Sequence, residues 1–186
     1  MAGGRSSRFG SDKARITIQG EPLLLRLART LQPFATSLTI VADVQDKYRD
    51  LGLRTIVDRV GGLGPIGGLI TTLHDRAEEG WLLVTACDWI DVRPVWIKLL
   101  LSGAGSDVEA VAFKGALWES LLTLFRPSIR PRVEKNIALG QLSIRQLLEE
   151  SSTRALPLPH DWESRWHINT PQDLARYLRM ERRRDC

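Results

Sequence analysis

Short apolar runs alternate with segments of helical periodicity along most of the chain, and no repeat or low-complexity stretch interrupts them. Ser37 to Ala42 (SLTIVA), Arg54 to Val57 (RTIV) and Trp81 to Ala86 (WLLVTA) predict buried strands, because each is a brief apolar run beside polar or glycine punctuation. Helices are predicted around them. Pro22 to Leu31 carries apolar residues at helical spacing, Ile66 to Ala77 follows a glycine-rich turn, and Pro94 to Leu101 opens on a proline, which a first helical turn tolerates. Beyond Ser102, Val108 to Phe113 and Leu121 to Phe125 predict strands, Arg132 to Leu139 and Ile144 to Glu150 helices, and Pro157 and Pro159 a loop. A last helix has a defined start, with Thr170 as N-cap, Pro171 in the first helical position, Asp173 as capping-box acid, and Leu174, Ala175 and Leu178 as its apolar face. This alternation predicts an α/β fold with a largely parallel sheet.

Composition narrows the class. The 186 residues, 43% hydrophobic and 26% charged, suffice for a single domain and exclude disorder, collagen and coiled coil. No window approaches the ~20 apolar residues of a membrane helix. The opening MAGGRSSRFGSDK lacks the apolar stretch of a secretory signal, so a cytoplasmic protein without a membrane partner is expected. Cys87 and Cys186 are too few for a disulfide framework or a structural zinc site, which fits a reducing compartment. A net charge of +4 suits phosphate-bearing ligands. The basic tail Glu181 to Cys186 reads as a solvated helix end whose cations match the helix dipole, rather than as a nucleic-acid patch.

Three segments carry candidate chemistry. Ala2 to Lys13 (AGGRSSRFGSDK) suits a polyphosphate: Gly3 and Gly4 admit backbone N–H groups to the oxygens, Lys13 supplies a point charge, and Arg5 or Arg8 can add bidentate contacts. It lacks the Gly-Lys-Ser/Thr of a Walker loop, and a flexible terminal tail is the competing reading. No strand precedes it, although phosphate-cradling loops are normally held by one. Either the true start codon lies upstream, which is the expectation adopted, or another segment supports the loop. The second segment, Ala86-Cys87-Asp88, ends the most apolar strand, where open α/β sheets place their ligand crevice. One carboxylate beside substrate phosphates is enough for Mg²⁺, so Asp88 is the candidate metal ligand, with capping of the next turn as its alternative. The third is Val57-Asp58 followed by GGLGPIGG, with a formal Gly-x-Gly-x-x-Gly match from Gly62 to Gly67. A nicotinamide-dependent oxidoreductase is the runner-up on this pattern, although Pro65 removes an N–H from the turn that would hold the pyrophosphate. His74, His160 and His167 lack zinc-site spacing and read as structural or surface residues, and the tryptophans as core anchors. No nucleophile signature occurs, which leaves metal-assisted phosphate chemistry.

In order and at these intervals, the segments resemble the molybdenum cofactor guanylyltransferases, nucleotidyltransferases related to the nucleotide-diphospho-sugar transferases. The resemblance runs nearly end to end: Met1 to Lys13, Gly20-Glu21-Pro22-Leu23, Val57-Asp58, Gly64-Pro65-Ile66-Gly67-Gly68, Cys87-Asp88, Leu142-Ser143-Ile144-Arg145, and Ile168-Asn169-Thr170-Pro171-Gln172-Asp173-Leu174. It implies a three-layer α/β/α Rossmann-like nucleotidyltransferase fold in one domain, with a nucleotide part (1–101) and an acceptor part (102–186). It also implies a Mg²⁺-dependent reaction of GTP with molybdopterin that releases pyrophosphate and forms the guanine dinucleotide cofactor. By this resemblance Ala2, Gly3 and Gly4 contact guanine and ribose, Asp43 and Asp58 lie along the nucleotide, Lys13, Arg8 and Asp88 serve catalysis, and Asn169 faces the pterin. Apo-molybdoenzymes or their chaperones are the implied protein partners, and a non-catalytic nucleotide-binding adaptor is a further alternative. The chain departs from the family pattern at Trp89-Ile90 after Cys87-Asp88, at Glu119-Ser120-Leu121, and at His167, a position often occupied by asparagine.

Overall fold

In the computed structural model, which describes residues 1–2, 12–75, 80–164 and 166–184, the elements run in chain order as follows. β1 (Thr17–Ile18) and β2 (Glu21–Pro22) lead into α1 (Leu23–Leu31), and β3 (Ile40–Ala42) and β4 (Thr55–Val57) into α2 (Pro65–Asp75). Then come β5 (Leu82–Thr85), α3 (Pro94–Ser102), β6 (Ala110–Lys114), β7 (Trp118–Phe125), α4 (Arg130–Ala138), α5 (Ile144–Glu150), β8 (Thr153–Pro157) and α6 (Pro171–Arg184). They build two units. The first comprises Met1–Gly4, Thr39–Ala86 and Val95–Pro159; the second comprises Arg5–Leu38, Cys87–Pro94 and His160–Cys186.

The first unit holds the sheets. β3 and β4 pair in parallel, and a four-stranded sheet has the order β5-β7-β6-β8. β6 is buried over Ala110 to Phe113, as a central strand covered on both faces must be. Its core partners are Ile66, Leu69, Ile70 and Leu73 of α2, Val133 of α4, and Ile144, Leu147 and Leu148 of α5. These residues recur at helical spacing, so each helix turns one apolar stripe inward.

The α/β class is as the alternation predicts, but the sheet is mixed rather than largely parallel. β7 runs antiparallel to both β5 and β6, whereas β6 and β8 are parallel. The short connection at 115–117, closed by a hydrogen bond from Gly115 N to Leu117 O (3.1 Å), can only make a hairpin, because parallel neighbours need a crossover. β8 is a strand the sequence pattern does not predict, and it ends at Pro157, where the predicted loop begins. Its Pro157 is the last residue of an edge strand, the place where a missing N–H costs no ladder bond.

Met1 and Ala2 tie β3 to β5 within this unit. The Met1 ammonium donates to Thr85 O (2.7 Å), and Ala2 N donates to Val41 O (2.9 Å).

The second unit packs α1 and α6 with a small hairpin. β1 and β2 turn on Gln19 and Gly20, at φ 52° and 80°, the double positive φ that tight hairpin turns require. Ile18, Leu23, Ile90, Ile168 and Tyr177 form its core. No helix among the described residues is long and apolar enough to cross a membrane.

Leu147 is fully buried under the four-stranded sheet. Leu147→Ala is expected to destabilise the protein by about 2–5 kcal/mol, read as a lower urea midpoint at unchanged slope.

Candidate functional site

Two extended segments of the second unit set the site. Ile168 N donates to Asp88 O (2.9 Å) and Ile90 N to Trp166 O (3.2 Å), so residues 88–90 and 166–168 lie side by side, with Trp89 opposite His167. Ile90 and Ile168 are buried in the core of this unit, whereas Asn169 is exposed. Trp89 is buried between two rings, with Trp162 at 5.4 Å and His167 at 4.3 Å in a T-shaped contact. The loop 87–94 is held further by Asp91, whose Oδ1 accepts from the Tyr177 hydroxyl (3.1 Å) and lies 3.7 Å from the Arg26 guanidinium. Asp91 is therefore committed to structure.

Asp88 is not. Its Oδ1 is buried and accepts no hydrogen bond, and its neighbour is His167 Nδ1 at 4.0 Å. A buried carboxylate oxygen without a partner carries a desolvation cost that a cation would relieve. The observed atom thus fits a divalent cation held by one carboxylate and completed by substrate phosphates and water. Among the described residues there is no cluster of three or more histidine, cysteine or acidic side chains that could hold a metal ion.

Lys13 enters the same unit. Asp12 caps the short turn Lys13–Arg15 by accepting from Ala14 N (3.1 Å), and Lys13 Nζ donates to Asn169 Oδ1 at 3.0 Å. Asn169 is fixed in turn by the start of α6. Asn169 N and Thr170 N both donate to Asp173 Oδ2 (3.1 and 2.9 Å), and Asp173 N donates to Thr170 Oγ1 (3.1 Å). This is the capping box expected from Thr170 and Asp173. Hydrogen bonding from Thr170, with the Asn169 and Thr170 N–H groups, holds the Asp173 carboxyl below the ordinary carboxylate range despite the opposing effect of burial. Cys87 behaves differently: burial pushes its thiol up, so it stays protonated and unreactive at neutral pH.

The remaining described candidates lie in the first unit. Ala2 is buried, and its carbonyl accepts from the Tyr48 hydroxyl (3.3 Å). Asp43 pairs with Lys47 at 2.7 Å, and that hydrogen bond lowers its carboxyl below the ordinary value. Asp58 Oδ1 accepts from Thr71 Oγ1 (3.1 Å) and Val60 N (3.2 Å), pinning the turn from β4 into α2. A Cβ on Gly67 would sit 3.1 Å from Val60 O and 3.2 Å from Asp58 Oδ2, so the glycine admits a close approach of loop and helix. Gly62 and Gly64 have φ of 90° and 65°, and Pro65 opens α2. The Gly62 to Gly67 pattern is accounted for by the shape of this turn.

The structure thus brings Lys13, Asp88 and Asn169 together in one unit and holds Ala2, Asp43 and Asp58 in the other. Gly3, Gly4, Arg5 and Arg8 lie outside the described residues. Sequence reading marks His167 as a structural or surface residue and as a departure from the family's asparagine, and gives it no role at the site. Its place in the family pattern, two residues before Asn169, is the signal that points to it.

A family model described as the MobA-like NTP transferase domain matches residues 1–155. The chain is 31% identical over 188 residues to the probable molybdenum cofactor guanylyltransferase of Carboxydothermus hydrogenoformans, covering 97% of this chain and 93% of that protein. It is 30% identical over 178 residues to the molybdenum cofactor guanylyltransferase of Pseudomonas putida, covering 94% and 93%. Among solved structures, molybdopterin-guanine dinucleotide biosynthesis protein A from Archaeoglobus fulgidus matches with a TM-score of 0.80 and 25% identity, over 98% of this chain and 96% of that one. The 2-C-methyl-D-erythritol 4-phosphate cytidylyltransferase of Thermus thermophilus, at 15% identity and a TM-score of 0.70 over 91% and 94%, shows the shared fold alone.

The cap at Asn169 makes a pH test available. Because the folded Asp173 carboxyl sits below the unfolded value of about 3.9, its contribution is full above that value and is lost as pH falls through the folded one. The stability gap between wild type and Asp173→Asn is expected to be constant above about pH 5 and to close below about pH 4, measured by thermal unfolding. A gap that persists in acid would mean that the cap works without its charge.

Proposed function

The chain belongs to the MobA-like NTP transferase family and is a nucleotidyltransferase, and from that premise we propose that it is a guanylyltransferase transferring GMP from GTP to the molybdopterin cofactor. A phosphate oxygen of molybdopterin attacks the α-phosphorus of GTP, the new P–O bond forms, the bond to the bridging oxygen breaks, and pyrophosphate leaves with the electron pair. The carrying observation is the buried, hydrogen-bond-free Oδ1 of Asp88 in the same unit as the Lys13–Asn169 pair. Mg²⁺ bound there would neutralise phosphate charge as it develops.

The chain's own residues supply placement and charge, which suffices for a phosphorus centre that needs little covalent help. Lys13, held at 3.0 Å by Asn169, keeps its ammonium in one position for a phosphate oxygen. Asn169 stands next to the pterin, and its amide nitrogen is free of the Lys13 contact, which uses the oxygen. Ala2, Gly3, Gly4 and Arg5 take the nucleotide, and Arg8 serves the polyphosphate. Asp43 and Asp58 act along the nucleotide chiefly by shaping their loops, since Lys47 and Thr71 already engage their carboxylates. The nucleotide side is drawn from residues 1–101 and the acceptor side from 102–186, in a cytoplasmic enzyme that hands its product to molybdoenzymes or their chaperones.

Thermal unfolding with GTP, CTP, ATP or NADH, each with and without Mg²⁺, tests this. GTP is expected to stabilise selectively, by about 2.7 kcal/mol at a hundredfold excess over Kd. Asp88→Asn should lose the Mg²⁺-dependent increment, and Lys13→Ala should lower kcat by roughly 10²-fold or more with molybdopterin as acceptor. Stabilisation by NADH rather than GTP would overturn the proposal.

A further inference from the structure

One carboxylate oxygen among the described residues, Asp88 Oδ1, is buried without a hydrogen bond, and the group it faces is an imidazole nitrogen. We propose that His167 Nδ1 is a second protein donor to the divalent cation at Asp88, and that this nitrogen shifts the site's preference from Mg²⁺ toward Mn²⁺ and later first-row ions. The inference rests on the reading of Asp88 given above and adds a ligand and a selectivity to it.

Distance is the first argument. The 4.0 Å between Asp88 Oδ1 and His167 Nδ1 is too long for a hydrogen bond. It is close to the sum of two donor–metal bonds of about 2.0–2.2 Å each, so an ion between them meets both donors without movement of the backbone.

Rigidity is the second. His167 lies opposite Trp89 in the paired segments, the hydrogen bond from Ile168 N to Asp88 O locks the register one residue away, and the Trp89 ring packs edge-on against the imidazole at 4.3 Å. Trp89 is itself buried against Trp162. The imidazole is therefore held beside the carboxylate by the same pairing that positions the carboxylate. A ligand placed in advance binds with less ordering cost than one that must be recruited.

Ligand count is the third. Two protein donors, with no third histidine, cysteine or acid clustered around them among the described residues, leave most of the coordination sphere to phosphate oxygens and water. That is the arrangement of a nucleotide–metal site rather than of a structural zinc site. The His167 and Asp88 side chains are 33% and 20% exposed, which leaves an open side for a phosphate. The nitrogen then sets the preference, because Mg²⁺ favours an all-oxygen octahedron, whereas imidazole binds more strongly along the first transition row.

The test uses the full chain with Mn²⁺ alone. Pulsed electron paramagnetic resonance of bound Mn²⁺ is expected to show coupling to a directly ligated ¹⁴N that changes to the ¹⁵N pattern when histidine is ¹⁵N-labelled. His167→Asn should abolish that coupling while Mn²⁺ remains bound through Asp88, and should lower the ratio of Mn²⁺ to Mg²⁺ affinity by about tenfold or more. The wild-type spectrum depends on no variant folding. Bound Mn²⁺ without histidine coupling, or coupling that survives in His167→Asn, overturns the inference while leaving Asp88 as the metal ligand. Mn²⁺ binding that is unchanged in Asp88→Asn, or no binding at millimolar Mn²⁺, overturns the reading of Asp88 and this inference with it.

Discussion

The backbone pairing of residues 88–90 with residues 166–168 is the constraint on which the candidate site depends. Two hydrogen bonds bring a loop that leaves the end of a strand against a segment that enters the last helix. Every polar group of interest in this unit is referred to that pairing. Asp88 and His167 project from it, Asn169 follows one residue later, and Lys13 is fixed by reaching Asn169. Apolar burial supplies the force: Ile90 and Ile168 lie on the core side with Ile18, Leu23 and Tyr177, so any slip in the pairing would expose them.

The carboxylates sort by whether the fold has already used them. Asp43 has Lys47, Asp58 has Thr71 and a backbone N–H, Asp91 has Tyr177, and the Asp173 carboxylate has two backbone N–H donors at the start of α6. Asp88 alone among these leaves a buried oxygen without a donor. A fold that satisfies these four acids locally and leaves Asp88 Oδ1 open concentrates unspent electrostatics at that atom. That contrast sets Asp88 apart from the carboxylates the fold uses structurally, where sequence motifs treat them alike.

Most elements were legible in the sequence because their signals were local. Ile144 to Glu150 is the helix the periodicity predicts, and α6 begins where Thr170, Pro171 and Asp173 predict. What the sequence hid was non-local. β8 pairs with β6 through backbone groups that a proline-flanked run does not advertise, and the reversal of β7 follows from a connection whose shortness outweighs the βαβ pattern around it. The Gly62 to Gly67 match illustrates the opposite error, in which a ligand-like pattern is accounted for by turn geometry at Asp58 and Gly67. At the site, Lys13, Asp88 and Asn169 could be named from motifs, but the proximity of His167 to Asp88 exists only after distant segments meet.

The second unit is assembled from three separate stretches, ending with His160–Cys186. During synthesis from the amino terminus, the sheet of the first unit can form before the final helix has left the ribosome, because its strands are complete by Pro157. Asp88 is translated early but cannot acquire its neighbours until residues 166–169 arrive. The candidate site is thus completed after the sheet, and a polypeptide stalled or clipped before α6 would present the strands without it. The order of synthesis, rather than local stability, then decides when the candidate centre can assemble.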